Sequence, residues 1–149
     1  MKAIKTWILI ANGTQARIIC NTGLGHGLQD VAEMTYEDTI AKTERNNSNT
    51  PGRTFDSHGS GRHALEPHVD QQNLEKINFA NFLAKNLKER YIQENFDRLI
   101  IAASPAMLGN IRKALPKALE SIIYAEIPKD LCHIDTPSMS RHLEGVLVV

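Results

Sequence analysis

The residues best suited to chemistry lie together in one polar stretch, from Thr50 to Asp70. Glycines there let the backbone approach a bound molecule closely, and arginines present planar forks that suit phosphate and carboxylate. Loops of this length are uncommon in compact domains and are usually functional or disordered. We therefore predict a mobile recognition arm over about residues 43–66, the alternative being a plain disordered connector. Its candidate RNA- or ligand-binding residues are Arg53, His58, Gly59, Gly61, Arg62 and His63.

A second group of basic residues comes later in the chain, at Arg112, Lys113 and Lys117, and Arg17 is expected near it. Lysine and arginine contacts to phosphates supply much of the affinity of proteins for RNA. We add Arg112 and Lys113 to the candidate binding residues. The alternative is a solvated surface that serves solubility alone.

Two further patterns in the sequence fit neither a zinc site nor a dinucleotide-binding loop. His58, His63 and His68 are spaced by five, which suits neither a helix face nor the three or four converging ligands of a zinc site. The glycines of Gly23–Gly27 are followed by a strand pattern, whereas a dinucleotide-binding loop opens a helix. The sequence therefore predicts no metal and no cofactor.

Composition places the chain among ordinary globular proteins. Its 149 residues predict a single domain, 1–149, with 42% hydrophobic and 23% charged residues and a formal net charge of zero. A globally basic nucleic-acid binder is excluded. Cys20 and Cys132 are expected to be reduced thiols. No signal-peptide pattern or membrane-length apolar run is present, so a cytoplasmic location is expected.

The first third of the chain reads as three strands. Thr6–Ala11 is rich in β-formers, and Asn12-Gly13 is a strong hairpin signal because both residues tolerate positive φ. Ala16–Cys20 is the predicted returning strand, and Leu28–Tyr36 a weaker third one. We expect an antiparallel meander.

The rest of the chain alternates helices and strands. Asp70 is the expected N-cap of a long helix, Gln71–Asn95, with Leu74 and Ile77 on its apolar stripe. The apolar run Leu99–Ala103 is typical of a parallel strand buried on both faces. The predicted fold is α/β, with one mixed sheet flanked by helices. The remaining predicted elements are a helix from Pro105 to Leu115 capped by Ser104, a strand from Ser121 to Ile127, and a helix from Pro137 to Leu143 capped by Thr136.

Several blocks of the sequence resemble the bacterial host attachment family, whose members are named for attachment to host cells. Members of this family look like the middle domain of archaeal and eukaryotic peptide-release factors, which implies a ribonuclease-H-like fold. The blocks that carry the resemblance are Trp7–Ile19, Pro51–Asp56, Gly61–Pro67, Phe79–Leu87, Ser104–Arg112 and Lys129–Leu131.

The resemblance implies a translation-associated module that binds RNA or the ribosome, with the ribosome or tRNA as partner. The release-factor domain carries Gly-Gly-Gln at the tip of its long loop, whereas this chain has Gly59-Ser-Gly-Arg-His63. Peptidyl-tRNA hydrolysis is thus conceivable, but the catalytic glutamine is unmatched. A nuclease would need clustered carboxylates, and Asn12 stands where the family often has Asp.

Two alternatives stay open at this point. One is a non-catalytic interaction protein with an indirect role in bacterial attachment to host cells. The other is a small-molecule enzyme with a pocket at the carboxyl ends of the parallel strands, near Ser104.

Overall fold

The computed structural model describes residues 3–47, 67–147 and 149. After an initial run of three strands, two described helices precede each further strand. In chain order the elements are β1 (Thr6–Ala11), β2 (Gln15–Asn21), β3 (Gln29–Thr35), α1 (Tyr36–Asn47), α2 (Pro67–Glu94), β4 (Arg98–Ala103), α3 (Pro105–Ala114), α4 (Lys117–Glu120), β5 (Ile123–Ile127) and α5 (Thr136–His142).

The five strands form one mixed sheet in the order β3-β2-β1-β4-β5. The first hairpin and the β2–β3 pair are antiparallel, whereas β4 runs parallel to both β1 and β5. The predicted α/β architecture with a single mixed sheet is therefore confirmed. Its ribonuclease-H-like assignment stays a prediction.

The β1–β2 hairpin is present, but its turn works differently from the prediction. Ala11 lies opposite Ala16, and the Asn12 N–H donates to the Gln15 carbonyl at 2.9 Å. Neither Asn12 nor Gly13 adopts a positive φ. Instead, Asn12 Oδ1 accepts hydrogen bonds from the N–H groups of Thr14 and Gln15, both at 2.9 Å. The asparagine shapes the turn through its side chain, as Asx turns do.

One face of the sheet is covered by α2 and α3. The aromatic residues give this layer its rigid centre, because Trp7 stacks on Phe96 with ring centroids 4.4 Å apart and Tyr91 meets Phe96 edge-on. From α2 the buried side chains are Phe79, Ala80, Leu83, Ala84 and Leu87, and from α3 they are Met107, Leu108 and Ile111.

The opposite face is covered by α5 and the segment that follows it. Alternation along β1 sends Ile8 and Ile10 to this face, where Ile100 of β4 joins them. Met139, Leu143 and Leu147 from the C-terminal part of the chain close the layer. The sheet is thus buried on both sides at its centre, as the apolar run in β4 predicted.

Helix α1 was missed in the sequence, where residues 37–49 were interpreted as the polar start of the mobile loop. A capping box starts this helix: the Asp38 carboxylate accepts from the Thr35 N–H at 2.9 Å, and the Thr35 hydroxyl accepts from the Asp38 N–H at 3.3 Å. The described part of the predicted mobile loop is therefore helical as far as Asn47. The remainder of that loop lies outside the described residues.

The predicted start of α2 and part of its apolar stripe were also wrong. The helix begins at Pro67, before the expected N-cap Asp70, since proline at the first helical position has its φ already set. Leu74 and Ile77 are 56% and 43% exposed. Leu74 is nine residues from the buried Leu83, about two and a half turns, and so lies on the opposite side of the helix.

The cap of α5 is Asp135, where Thr136 had been predicted. The Asp135 carboxylate accepts from the Ser138 N–H at 3.1 Å. This hydrogen bond holds the pKa of Asp135 below its usual range. Thr136 is free of the capping role, and its hydroxyl serves a different network.

Candidate functional site

Three polar residues follow the three parallel strands at the carboxyl edge of the sheet. Asn12 comes after β1, Ser104 after β4, and Asp130 soon after β5. Ala11 and Ala103 are register partners, so the residues after them are neighbours. Ligand sites of open α/β sheets favour this edge. This is the edge at which the sequence analysis considered a small-molecule pocket, near Ser104.

Both the nitrogen and the oxygen of the Asn12 amide make hydrogen bonds within the fold. Its Nδ2 donates to Asp130 Oδ2 at 3.1 Å, while Oδ1 accepts from the Thr14 and Gln15 backbone. The other Asp130 oxygen, Oδ1, accepts from the Cys132 N–H at 3.0 Å. Partial burial opposes ionisation of Asp130, but these hydrogen bonds outweigh it and lower the pKa of the carboxyl. The pair therefore ties the β1–β2 turn to the segment after β5.

Cys132 completes this arrangement as a protonated thiol. Its Sγ donates to the Gln15 carbonyl at 3.6 Å. Burial, together with the negative charge of the neighbouring Asp130, raises the pKa of Cys132 to about 12. The thiolate is the nucleophilic form of cysteine, so this thiol is a poor nucleophile near neutral pH. Both Cys20 and Cys132 are free cysteines, as predicted.

Ser104 precedes α3 with Pro105 at the first helical position, as the sequence predicted. Its hydroxyl makes no capping hydrogen bond to the helix. Ser104 is half-buried. The nearby polar groups of Asn12, Asp130 and Cys132 are bonded to one another, so the described carboxyl edge resembles a structural network more than a reacting site.

A second network joins the antiparallel strands to α5, through Arg17. Its guanidinium donates to the Ile134 carbonyl and, at 2.6 Å, to the Thr136 hydroxyl. That hydroxyl in turn donates to Asp30 Oδ1 at 2.6 Å, and Arg17 Nη2 lies 3.7 Å from the same oxygen. Arg17 thus belongs to the α5 face of the sheet. The expectation that it would lie near Arg112 was wrong, because α3 packs on the other face.

The predicted RNA- or ligand-binding residues fall into two groups. Those of the loop lie outside the described residues: Arg53, His58, Gly59, Gly61, Arg62 and His63. Arg112 and Lys113 lie in the last turn of α3 and are exposed. Arg112 forms a two-pronged ion pair with Glu126, at 3.0 Å from Nε and 2.5 Å from Nη2. These hydrogen bonds raise the pKa of Arg112. A phosphate at Arg112 would have to compete with that carboxylate, and the binding roles stay predictions.

The amino edge of the sheet carries a cavity that sequence reasoning missed. Its volume is about 580 Å³, and its walls come from the residues before β1, the loop after β2, the starts of β4 and β5, and the segment after α5. Apolar walls are supplied by Ile4, Leu24, Val146 and Leu147. Leu24 is 75% exposed at the mouth of this cavity.

Arg98 and Tyr124 form the polar wall of this cavity. The Arg98 guanidinium carbon lies 4.0 Å from the centre of the Tyr124 ring, a cation–π contact. Arg98 Nε also donates to the buried Thr6 hydroxyl at 3.3 Å. Nothing in the sequence marked this pair, since its members come from neighbouring strands 26 positions apart.

The described residues contain neither a candidate metal-ligand cluster nor a helix suited to span a membrane. Over 3–47, 67–147 and 149, no group of three or more His, Cys, Asp or Glu side chains is arranged to hold a metal ion. Within the same part of the chain, none of the helices combines the length and apolar character needed to cross a membrane.

Comparison with known proteins gives a family and distant structural likenesses. The family model described as "Protein required for attachment to host cells" matches residues 7–143. "Uncharacterized protein RP470" of Rickettsia prowazekii (strain Madrid E) is 32% identical over 97 residues, which is 64% of this chain and 58% of that relative. This chain therefore spans just over half the length of that relative.

Two solved structures are similar at low identity. They are described as "Structural Study of the Aquifex aeolicus PPX-GPPA enzyme" and "MIRAS phasing of the Aquifex aeolicus Ppx/GppA phosphatase: crystal structure of the type II variant". Each is 12% identical and matches 83% of this chain and 35% of its own, with TM-scores of 0.41 and 0.40. A likeness of this degree carries no argument about this chain.

Proposed function

Because the chain belongs to the family described as "Protein required for attachment to host cells", we propose that it is a non-catalytic interaction protein with an indirect role in bacterial attachment. The family match covers nearly all of the chain, from the second residue of β1 to just past the end of α5. It is the single observation that carries the proposal.

The geometry of the carboxyl edge supports the non-catalytic part of the proposal. An α/β enzyme needs free polar groups at this edge, aimed at a substrate. Here the Asn12 amide and the Asp130 carboxylate bind each other and the backbone, and Cys132 is held as a thiol. These groups stabilise the turn and the strand ends.

The indirect part of the proposal is that a partner or a regulated process connects this chain to the cell surface. The translation-associated interpretation is the rival, and it depends on the loop residues that lie outside the described part of the chain.

Deleting the gene in the bacterium that carries it, and counting bacteria bound to host cells, tests the proposal. We expect several-fold fewer bound bacteria, with recovery when the gene is restored. Externally added protease should leave the chain intact on whole cells, and added purified chain should not compete for attachment. Competition by purified chain would show direct adhesion, and unchanged attachment of the deletion strain would contradict any attachment role.

A further inference from the structure

The cavity at the amino edge of the sheet combines an apolar interior with one cation. Its volume of about 580 Å³ is within the range of small-molecule sites, roughly 300–1,000 Å³. Ile4, Leu24, Val146 and Leu147 contribute the apolar surface. Among the described lining residues, Arg98 is the one that carries a charge. The cavity therefore presents one positive charge beside an apolar wall.

The Arg98 guanidinium has donors to spare. Arginine has five N–H donors, and the Nε–H is bound to Thr6. None of the described carboxylates forms an ion pair with Arg98, in contrast to Arg17, Arg90 and Arg112. The contact with Tyr124 holds the guanidinium plane in place without using its terminal N–H groups. A fixed fork of unpaired donors suits a carboxylate, which it can bind through two parallel hydrogen bonds.

Asn21, a further polar residue of the lining, already uses its side-chain amide in hydrogen bonds. The Asn21 amide donates to the carbonyls of Gly23 at 3.1 Å and Gly27 at 2.8 Å, and its oxygen accepts from the Gly23 N–H. Asn21 thus shapes the loop after β2, which carries Leu24 to the mouth of the cavity. Recognition of a negatively charged group in the cavity therefore falls to Arg98, the one charged residue of the described lining.

From this arrangement the geometry points to a binding site for a small apolar monocarboxylate, with Arg98 on the carboxylate and Leu24, Val146 and Leu147 on the hydrocarbon part. A single guanidinium matches one negative charge. A phosphate ester would call for several donors from arginines or a helix N-terminus, which the described lining does not supply. The site goes beyond the proposed attachment role and does not depend on it.

Octanoate is a suitable probe, and calorimetric titration of the full chain is the measurement. Two matched probes separate the two parts of the site: 1-octanol keeps the chain and lacks the charge, and octylamine reverses the charge. We expect octanoate to bind with one-to-one stoichiometry below its micelle concentration. Octanol should bind about tenfold more weakly, and octylamine should not bind.

Variants locate the site on the protein. Arg98→Met keeps the aliphatic stem beside Tyr124 and removes the donors, so octanoate affinity should fall at least tenfold while octanol affinity is unchanged. Leu24→Ala removes an exposed apolar contact and should weaken both probes by about threefold to fivefold. Lys85→Met removes one charge from an exposed position of α2 that does not line the cavity, and it is the matched control, with affinity expected as in the wild type. Melting curves establish that each variant is folded.

The outcomes decide the proposal in each case. Loss of octanoate binding in Arg98→Met, with retention in Lys85→Met, supports the proposal. Equal octanoate affinity in wild type and Arg98→Met, equal loss in both variants, or no binding to the wild type would each overturn it. If Arg98→Met fails to fold, Leu24→Ala and the octanol comparison still decide, because Leu24 is on the surface.

Discussion

Asn12 donates a hydrogen bond from its side-chain amide to Asp130, with Nδ2 and Oδ2 3.1 Å apart across 118 positions of the sequence. The same asparagine closes the β1–β2 turn through its Oδ1. One side chain therefore sets the local turn and anchors the segment that follows β5.

Replacing Asn12 with alanine should lower the free energy of unfolding by about 1–2 kcal/mol, because two turn N–H groups and Asp130 lose their partner. Denaturant unfolding measures this change. Asn12→Asp is the informative companion, since it keeps the oxygen for the turn but faces Asp130 with a like charge. The loss of unfolding free energy in Asn12→Asp should be smaller in acid, where one of the two carboxyls can be protonated. A deficit that is equal at all pH values would contradict the contact with Asp130.

The lowered pKa of Asp130 predicts a pH-dependent contribution to stability. A carboxyl whose pKa is lower in the folded chain stabilises the fold above its ordinary value of 3.8. That contribution is lost as the pH falls through the lowered, folded value. The stability gap between wild type and Asp130→Asn should thus be full at neutral pH and close in acid. A stability gap that widens in acid would show that the pKa of Asp130 is not lowered in the folded chain.

Cysteine alkylation followed by mass spectrometry tests the Asp130–Cys132 contact. Native Cys132 should react slowly with iodoacetamide, because its pKa is raised to about 12. Asp130→Asn removes the negative charge that favours the thiol, so alkylation of Cys132 should become faster at mildly alkaline pH. Cys20 lies in β2, away from Asp130, and serves as the internal control. Unchanged reactivity of Cys132 would argue that burial alone protects it.

Two threonines, the buried Thr39 and the half-buried Thr136, should respond in opposite directions to replacement by valine. The Thr39 hydroxyl is buried without a hydrogen-bond partner among the described residues, so Thr39→Val should stabilise the chain by about 1 kcal/mol. Thr136→Val removes the hydroxyl between Arg17 and Asp30 and should destabilise it by a similar amount. Thermal melting of both variants checks the pair. Destabilisation by Thr39→Val would mean that its hydroxyl has a partner.

Local signals in the sequence were sufficient to predict most strands of the sheet. The predicted strand Thr6–Ala11 has the bounds of β1, because a dense β-former run ends at a turn-forming Asn-Gly pair. The continuous apolar run in β4 likewise identified a parallel central strand. Helix α1 was also within reach, since Thr35 and Asp38 have the spacing of a capping box that was not recognised.

The missed features depend on contacts between distant parts of the chain. Asn12 with Asp130 and Arg17 with Thr136 are separated by more than a hundred positions, so no window of sequence contains either pair. The exposure of Leu74 depends on where the buried stripe of α2 begins, which packing against the sheet decides. The amino-edge cavity is formed by five separate segments, and only the fold brings Arg98 to Tyr124.

The central claim is that the chain supports attachment without catalysing a reaction, and complementation of the deletion strain tests it most directly. Bacteria carrying an empty vector, the wild-type gene, or a Ser104→Ala/Cys132→Ser double variant are counted on host cells. Ser104 makes no capping bond, and serine can replace the Cys132 donor, so the double variant should fold normally. The account predicts loss of attachment with empty vector and full recovery with both genes. Normal attachment with the empty vector, or failure of a folded double variant to restore it, would contradict the account.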